Sequence, residues 1–181
     1  MTISLRTSRL LLRPWCDEDV AAFAELSADP AVMEYLVPLP DWVARTRAHW
    51  DEHGFGQWIV EIPGEASFIG VVGLAVVSYE AHFTPAVEVA WRLARAYWGR
   101  GYATEAARVS LDYGFEKLGL REVVALTVPA NQRSRRVMER LGMTRSSEDD
   151  FDHPRLPEGP LKRHVLYRLR KPRAGSQVSS R

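Results

Sequence analysis

The sequence predicts a mixed α/β (α+β) fold, one layer of strands with helices packed against it. Three observations carry that reading. Between residues 56 and 142, strand-like apolar segments alternate with segments of helical period. The best of the helical segments, residues 103–118, repeats Ala107, Leu111, Phe115 and Leu118 at buried-face spacing and stops at Gly119, a C-cap residue. The chain has 181 residues, 46% hydrophobic and 26% charged, which is enough for a core within one domain. Residues 1–171 read as that domain, and residues 172–181 (PRAGSQVSSR) as a disordered basic tail.

The elements follow in order. SRLLLRP gives an opening strand centred on Leu10–Leu12 and stopped by Pro14. Asp17 is the expected N-cap of a helix through about Ser27, with Val20, Phe23, Ala24 and Leu26 as its apolar stripe. Asp29-Pro30 punctuates, and a proline-bounded stretch from Val37 to Pro40 precedes a helix from Asp41 to about His53, closed by Gly54. Residues 55–62 alternate as a strand, Pro63-Gly64 turns the chain, and residues 68–77 form a longer apolar strand. Ala86–Leu93 is another strand, residues 94–101 a loop, and the helix at 103–118 comes next. A strand at 122–128, a short helix from Ser134 to Leu141 capped by Gly142, and a last strand at 161–169 complete the series.

Charge and composition exclude several function classes. The 24 basic and 23 acidic side chains nearly cancel, so no broad positive field is available to hold a nucleic acid. All the acids lie at or before Glu158: residues 1–158 carry 17 basic side chains against 23 acids, a net −6, and residues 159–181 carry +7. That basic end lacks interleaved aromatics beyond Tyr167, which argues against nucleic-acid binding as the main activity and leaves docking on an acidic partner as an accessory use. The lone Cys16 excludes an intramolecular disulfide framework and a cysteine-built zinc site. No apolar run approaches the roughly 18–20 residues of a membrane span. Arginines within the N-terminal apolar segment are wrong for a signal peptide, so an intracellular, cytoplasmic protein is expected. Nothing chooses between monomer and homodimer.

The segment 86–118 carries the chemistry. A strand feeds a loop holding Gly99-Arg100-Gly101, and a helix rich in small residues follows at once. The free amides of that helix's first turn, at the positive end of its dipole, form an anion site. Gly99 and Gly101 leave the backbone accessible, Ala103 keeps the approach open, and Arg100 can add a charge-assisted contact. The lysine of a P-loop and the spacing of a dinucleotide fingerprint are both absent. Alone, such a turn also fits an ordinary glycine loop.

EVAWRL, then four residues, then WGRGYATEA, and further on NQRSRRVMERLGM, together resemble the GNAT acetyltransferases. Within them the segments resemble the ribosomal-protein (Rim-type) N-acetyltransferase branch, which SRLLLRPW and HVLYRL also fit, so the match runs from residue 5 to about 170. The resemblance implies a mixed, mostly antiparallel sheet splayed beside Leu93, with acetyl-CoA wedged in the gap. It places the diphosphate on the amides of Trp98, Gly99, Arg100, Gly101, Tyr102, Ala103 and Thr104, and pairs the pantetheine arm with the backbone of Trp91, Arg92 and Leu93. Asn131 and Ser134 would hold the pantetheine and thiol end. No metal is implied. The chain departs from the family pattern twice: Trp98 stands where the loop usually begins with glutamine or arginine, and Met138 where many members have a thiolate-protonating tyrosine. Methionine cannot donate that proton, which leaves Ser134, a water, another tyrosine or no dedicated acid.

Acyl transfer from a thioester to an amine needs an unprotonated amine, a polarised carbonyl and a stabilised thiolate. An α-amine of pKa near 7.8 is about one-seventh unprotonated at pH 7, a lysine near 10.4 below roughly one in a thousand, so a protein N-terminal or similarly weak small-molecule amine asks little of a base. Glu88 is the candidate base, on the same strand face as Ala90 and Arg92. A structural Glu88–Arg92 pair is the competing reading. The other competitor is a non-catalytic acyl-CoA-binding regulatory module, kept open by Met138. His153, His164 and Asp152 have the composition of a metal site, but a substrate-side loop and a strand histidine explain them more simply; His153 is the second-choice base. Trp42, Trp50 and Trp58 are candidate acceptor-cleft residues and otherwise core. Arg133, Arg135, Arg136 and Arg140 are expected to face solvent, with Arg133 or Arg136 a candidate for the CoA 3′-phosphate.

Overall fold

A computed structural model describes residues 3–39 and 41–171. The expected tail at 172–181 and the end of the Val37–Pro40 stretch lie outside the described residues. In chain order the elements are β1 (Leu5–Arg6), β2 (Leu11–Arg13), α1 (Asp19–Ala28), α2 (Pro30–Met33), α3 (Trp42–His53), β3 (Gln57–Ile62), β4 (Ala66–Val76), β5 (Val87–Leu93), α4 (Tyr102–Glu116), β6 (Glu122–Thr127), α5 (Gln132–Arg140), β7 (Thr144–Arg145), β8 (Phe151–Asp152) and β9 (Arg163–Arg170).

The sheet order is β1-β2-β3-β4-β5-β6-β9-β7, with β8 also on β9. Neighbours are antiparallel except β5 and β6, which run parallel and meet only at Glu88 opposite Val124. On its other side β5 is paired along its whole length, from Leu93 opposite Gly70 to Val87 opposite Val76. A strand held fully on one side and at one point on the other leaves a splay, and the expected mixed, mostly antiparallel splayed sheet is what the chain forms.

Alternation in β4 sends Val72 and Leu74 to one face and Val71 to the other. On the first face α4 packs Ala106, Ala107, Leu111 and Phe115 against Val72, Leu74, Val89 and Val123, all buried. Leu118 is only partly buried, beyond the helix end at Glu116. The second face holds a smaller core of Phe23, Leu26, Val32, Ile59 and Val71 under α1 and α2. Arg13 ties β2 to it: its Nη1 and Nη2 donate to Asp19 at 2.8 and 2.7 Å, and its Nε to Glu61 at 3.0 Å.

Two local expectations are corrected, and the core reading of the tryptophans holds for Trp58. The first helix starts at Asp19 without a side-chain cap; Asp17 instead meets Arg47 at 2.8 Å, and Asp19 is buried to receive Arg13 and the Cys16 amide. The short helix starts at Gln132, because Asn131 caps it by accepting from Ser134 N at 3.2 Å. Trp58 is a core residue with no exposure, its indole donating to Ile3 O; Trp50 donates to Gln57 O, and Trp42 packs on the smaller core with Arg92 5.3 Å from its ring.

Candidate active site

After Leu93 the chain makes a 3₁₀ turn at Arg95–Tyr97 and enters α4 through Gly99 (φ 74°) and Gly101 (φ 82°). Both φ values lie in the left-handed region, which suits glycine. No side chain caps α4, and its first backbone bond is Glu105 N to Gly101 O at 3.0 Å. The amides of Tyr102, Ala103 and Thr104 therefore precede the helical ladder as free donors. A Cβ at Gly99 would touch nothing within 4 Å, and one at Gly101 only Arg9 Nη2, so open space lies above these donors. Arg9 secures the loop from outside: its Nε donates to Glu105 at 2.7 Å, its Nη1 to Arg100 O at 3.1 Å, and its guanidinium lies 4.6 Å from the Tyr102 ring. Arg100 is exposed.

A cleft of about 360 Å³ runs from this loop along β5. Glu88, Arg92, Trp98, Ser134 and Met138 line it, and so does Arg133. The Trp98 indole donates to Leu93 O at 2.7 Å, fixing the loop to the strand end. The Trp91 indole donates to Ser134 Oγ at 3.1 Å, which holds that oxygen in place and leaves its own proton free to point elsewhere. Both ends of the Asn131 amide are engaged: Oδ1 caps α5 and Nδ2 donates to Thr127 Oγ1 at 3.0 Å. Arg133 is exposed but not idle. It meets Glu34 at 2.7 Å and lies 4.5 Å over the Trp98 ring, bridging the cleft mouth from α5 to the segment after α2.

Glu88 makes no ion pair or side-chain hydrogen bond among the described residues, and burial pushes its carboxyl up to about 7. The pair with Arg92 does not form, because four residues of extended strand separate them by about 13 Å. Arg92 instead lies 5.3 Å from the rings of Phe23 and of Trp42, with burial lowering it to about 10. Beyond Glu88 lies an aromatic cluster. Tyr79 sits 4.4 Å from His153 between ring centroids, and His153 5.2 Å from His164. The Tyr79 hydroxyl is buried without a hydrogen-bond partner and is pushed up by that burial and then by the Glu88 charge. Burial, followed by His164, Arg155 and Lys162, drives His153 down to about 4, so it is neutral and weakly basic at pH 7. Among the described residues no three His, Cys, Asp or Glu side chains gather as a metal site. Arg9, Tyr79 and the Glu34–Arg133 bridge escape sequence reading because each acts across a long separation with no local motif.

An uncapped helix start with open space above it suits a diphosphate, and the unpaired edge of β5 suits an amide-bearing chain. These features fit acetyl-CoA. Residues 9–144 match the family described as acetyltransferase (GNAT) domain.

The chain belongs to the GNAT acetyltransferase family.

This acetyltransferase is 37% identical over 146 residues to the uncharacterised protein YkkB of Bacillus subtilis (strain 168), covering 77% of this chain and 84% of that one. It is 32% identical over 190 residues to the FsC-acetyl coenzyme A-N(2)-transacetylase of Aspergillus fumigatus, covering 93% and 80%. Its fold matches the crystal structure of the acetyltransferase from Agrobacterium tumefaciens str. C58 with a TM-score of 0.74 at 30% identity, over 93% and 95% of the two chains. The acetyltransferase uses acetyl-CoA as its donor, and the family carries acetyl groups to amines. No helix among the described residues is long and apolar enough to cross a membrane.

Proposed function

We propose that this acetyltransferase moves the acetyl group of acetyl-CoA to a primary amine by direct attack in a ternary complex, with Glu88 as the base. One observation carries the reading: an unpaired carboxylate, raised to about 7, lines the cleft that begins at the free amides of α4. A carboxyl poised there is half ionised at neutral pH, which suits proton removal from an ammonium through one water.

The amides of residues 98–104 hold the diphosphate, with Arg100 adding charge, and the β5 edge at Trp91, Arg92 and Leu93 aligns the pantetheine arm. Asn131 sets the start of α5, and Ser134, oriented by Trp91, faces its proton toward the departing sulfur. Met138 is buried and supplies no proton, so Ser134 or water serves. His153, neutral and weakly basic, drops behind Glu88 as the base. The motifs WGRGYATEA and NQRSRRVMERLGM support assignment to the Rim-type branch, within one domain spanning residues 1–171 of a cytoplasmic protein. The Aspergillus relative, named for transfer to N(2), supports an amine acceptor outside ribosomal proteins as well.

A panel of amines and N-terminal peptides with acetyl-CoA, read by free-thiol release, tests the proposal. Amine-dependent thiol release is expected. Tight acetyl-CoA binding with no release from any amine identifies a non-catalytic acyl-CoA-binding module instead.

A further inference from the structure

Arg92 is unusual among the arginines of this protein. Arg92 belongs to the stretch of β5 that lines the cleft and lies on the same strand face as Glu88, yet its guanidinium makes no ion pair among the described residues. Its one side-chain hydrogen bond is to Ser27 Oγ at 3.4 Å, and two aromatic rings, Phe23 and Trp42, hold it at 5.3 Å each. Several acids of the neighbouring elements are committed elsewhere. Asp19 and Glu61 receive Arg13, Asp29 meets Arg95 at 3.4 Å and caps α2, and Glu34 receives Arg133. A half-buried cation without a counterion is costly unless something else neutralises it. Stacking on aromatic faces offsets part of that cost and fixes the plane of the guanidinium, leaving its fork of N–H donors for a planar, two-oxygen acceptor.

We propose that Arg92 receives a carboxylate of the acceptor, so that the substrate class is a small amine carrying a carboxylate a few bonds from its nitrogen. This deepens the acetyltransferase reading and rests on it. Arg92 then acts as a specificity-determining residue. The acceptor nitrogen lies toward Glu88 and its carboxylate toward Arg92, on either side of Ala90. Four residues of strand, about 13 Å, separate Glu88 from Arg92. A water bridge at Glu88 and a hydrogen bond at Arg92, three contacts of about 2.8 Å, leave about 5 Å for the acceptor, which suits β- and γ-amino acids and dipeptides. In the reaction the N–C bond forms as the C–S bond breaks. The ammonium gives up one proton through Glu88 to solvent, its second departing proton balances the sulfur, and CoA leaves as the thiol. The same cation repels a polyamine, whose second ammonium would have to approach it at low dielectric.

The experiment is a set of α-, β- and γ-amino acids and dipeptides, each paired with its own carboxamide, together with spermidine, assayed with acetyl-CoA on wild type, Arg92→Lys and Arg92→Met. Wild type is expected to favour the acids about ten- to hundredfold in kcat/KM, the range of a hydrogen-bonded charge contact, mainly through KM. Arg92→Met should bring the acid-to-amide ratio close to one and Arg92→Lys should keep part of it. A merely structural arginine would lower both rates together and leave the ratio alone. Amines acetylated by wild type without preference for the acids, or spermidine preferred over them, overturns this inference while the acetyltransferase reading stands; that comparison needs no variant to fold. No amine acetylated at all overturns both.

Discussion

Replacing Glu88 with glutamine separates catalysis from stability in opposite directions. Burial raises the Glu88 carboxyl from its ordinary 4.5 to about 7. Between those two values the folded protein holds a proton that the unfolded chain releases, so the residue costs stability increasingly as pH rises from about 4.5 to 7 and costs its full amount above that. At 1.36 kcal/mol per pH unit the rise corresponds to about 3 kcal/mol, and because the side chain opens onto the cleft the realised cost is discounted to about 1–2 kcal/mol. Glu88→Gln keeps the shape and removes the charge. It should melt about 3–6 °C higher than wild type at pH 8 and nearly level with it at pH 4.5, on the scale of a few degrees per kcal/mol for a chain of this size. Turnover at pH 7 should fall about 10²–10³-fold, the effect of losing a general base, and recover toward alkaline pH as solvent supplies unprotonated amine. The loss should be smaller for an α-amine than for a lysine-like amine. In wild type, kcat/KM should rise through an inflection near pH 7. Calorimetric melts and pH–rate profiles measure both halves. Wild-type turnover in Glu88→Gln at neutral pH, or a lower melting temperature at pH 8, refutes the reasoning.

Gly101→Val places a β-branched residue at φ 82° directly before the free amides of α4; acetyl-CoA affinity by calorimetry should weaken at least about tenfold, equal to about 1.4 kcal/mol, with the fold retained by circular dichroism. Ser134→Ala should lower kcat more than it weakens acetyl-CoA binding, and equal losses in both would make Ser134 a pantetheine contact only. Asp19→Asn breaks the buried junction with Arg13 and should cost about 3 kcal/mol in urea unfolding. Burial pushes the Asp19 carboxyl up, but hydrogen bonds from Arg13 and Cys16 outweigh it and hold it below its ordinary value. Its stabilisation is therefore present above pH 4 and is lost as pH falls through the lower folded value, a loss that Asp19→Asn should abolish.

Much of this protein is legible locally. The strand of Ala86–Leu93, the glycine loop and the amphipathic helix sit within a residue or two of where their period places them, because each is specified by residues within a few positions of one another, although the helix ends at Glu116 before the expected Gly119 cap. The helix start at Asp19 was not legible. Asp17 satisfies the local capping rule, but a distant Arg13–Asp19 junction decides the register. Alternation put Glu88 and Arg92 on one face correctly, yet only the three-dimensional arrangement shows that they do not pair and that Phe23 and Trp42 hold Arg92 instead. The family resemblance marks Ser134 but not its partner, because a Trp91 indole 43 positions earlier leaves no trace in spacing.

The single meeting point of β5 and β6 makes the sheet two panels joined at a pivot. Backbone donors and acceptors of β5 beyond Glu88 have a strand on one side and no strand on the other, so this stretch lacks part of the bonding that protects a central strand. A ligand that lies along that edge supplies the missing half of the ladder and couples the panels. Donor binding is then also a folding event for the middle of the sheet. Amides of β5 beyond the pivot that face the splay should exchange with solvent faster in the free protein than with the donor bound, and a donor that stiffens the cleft lowers the ordering cost left for the acceptor.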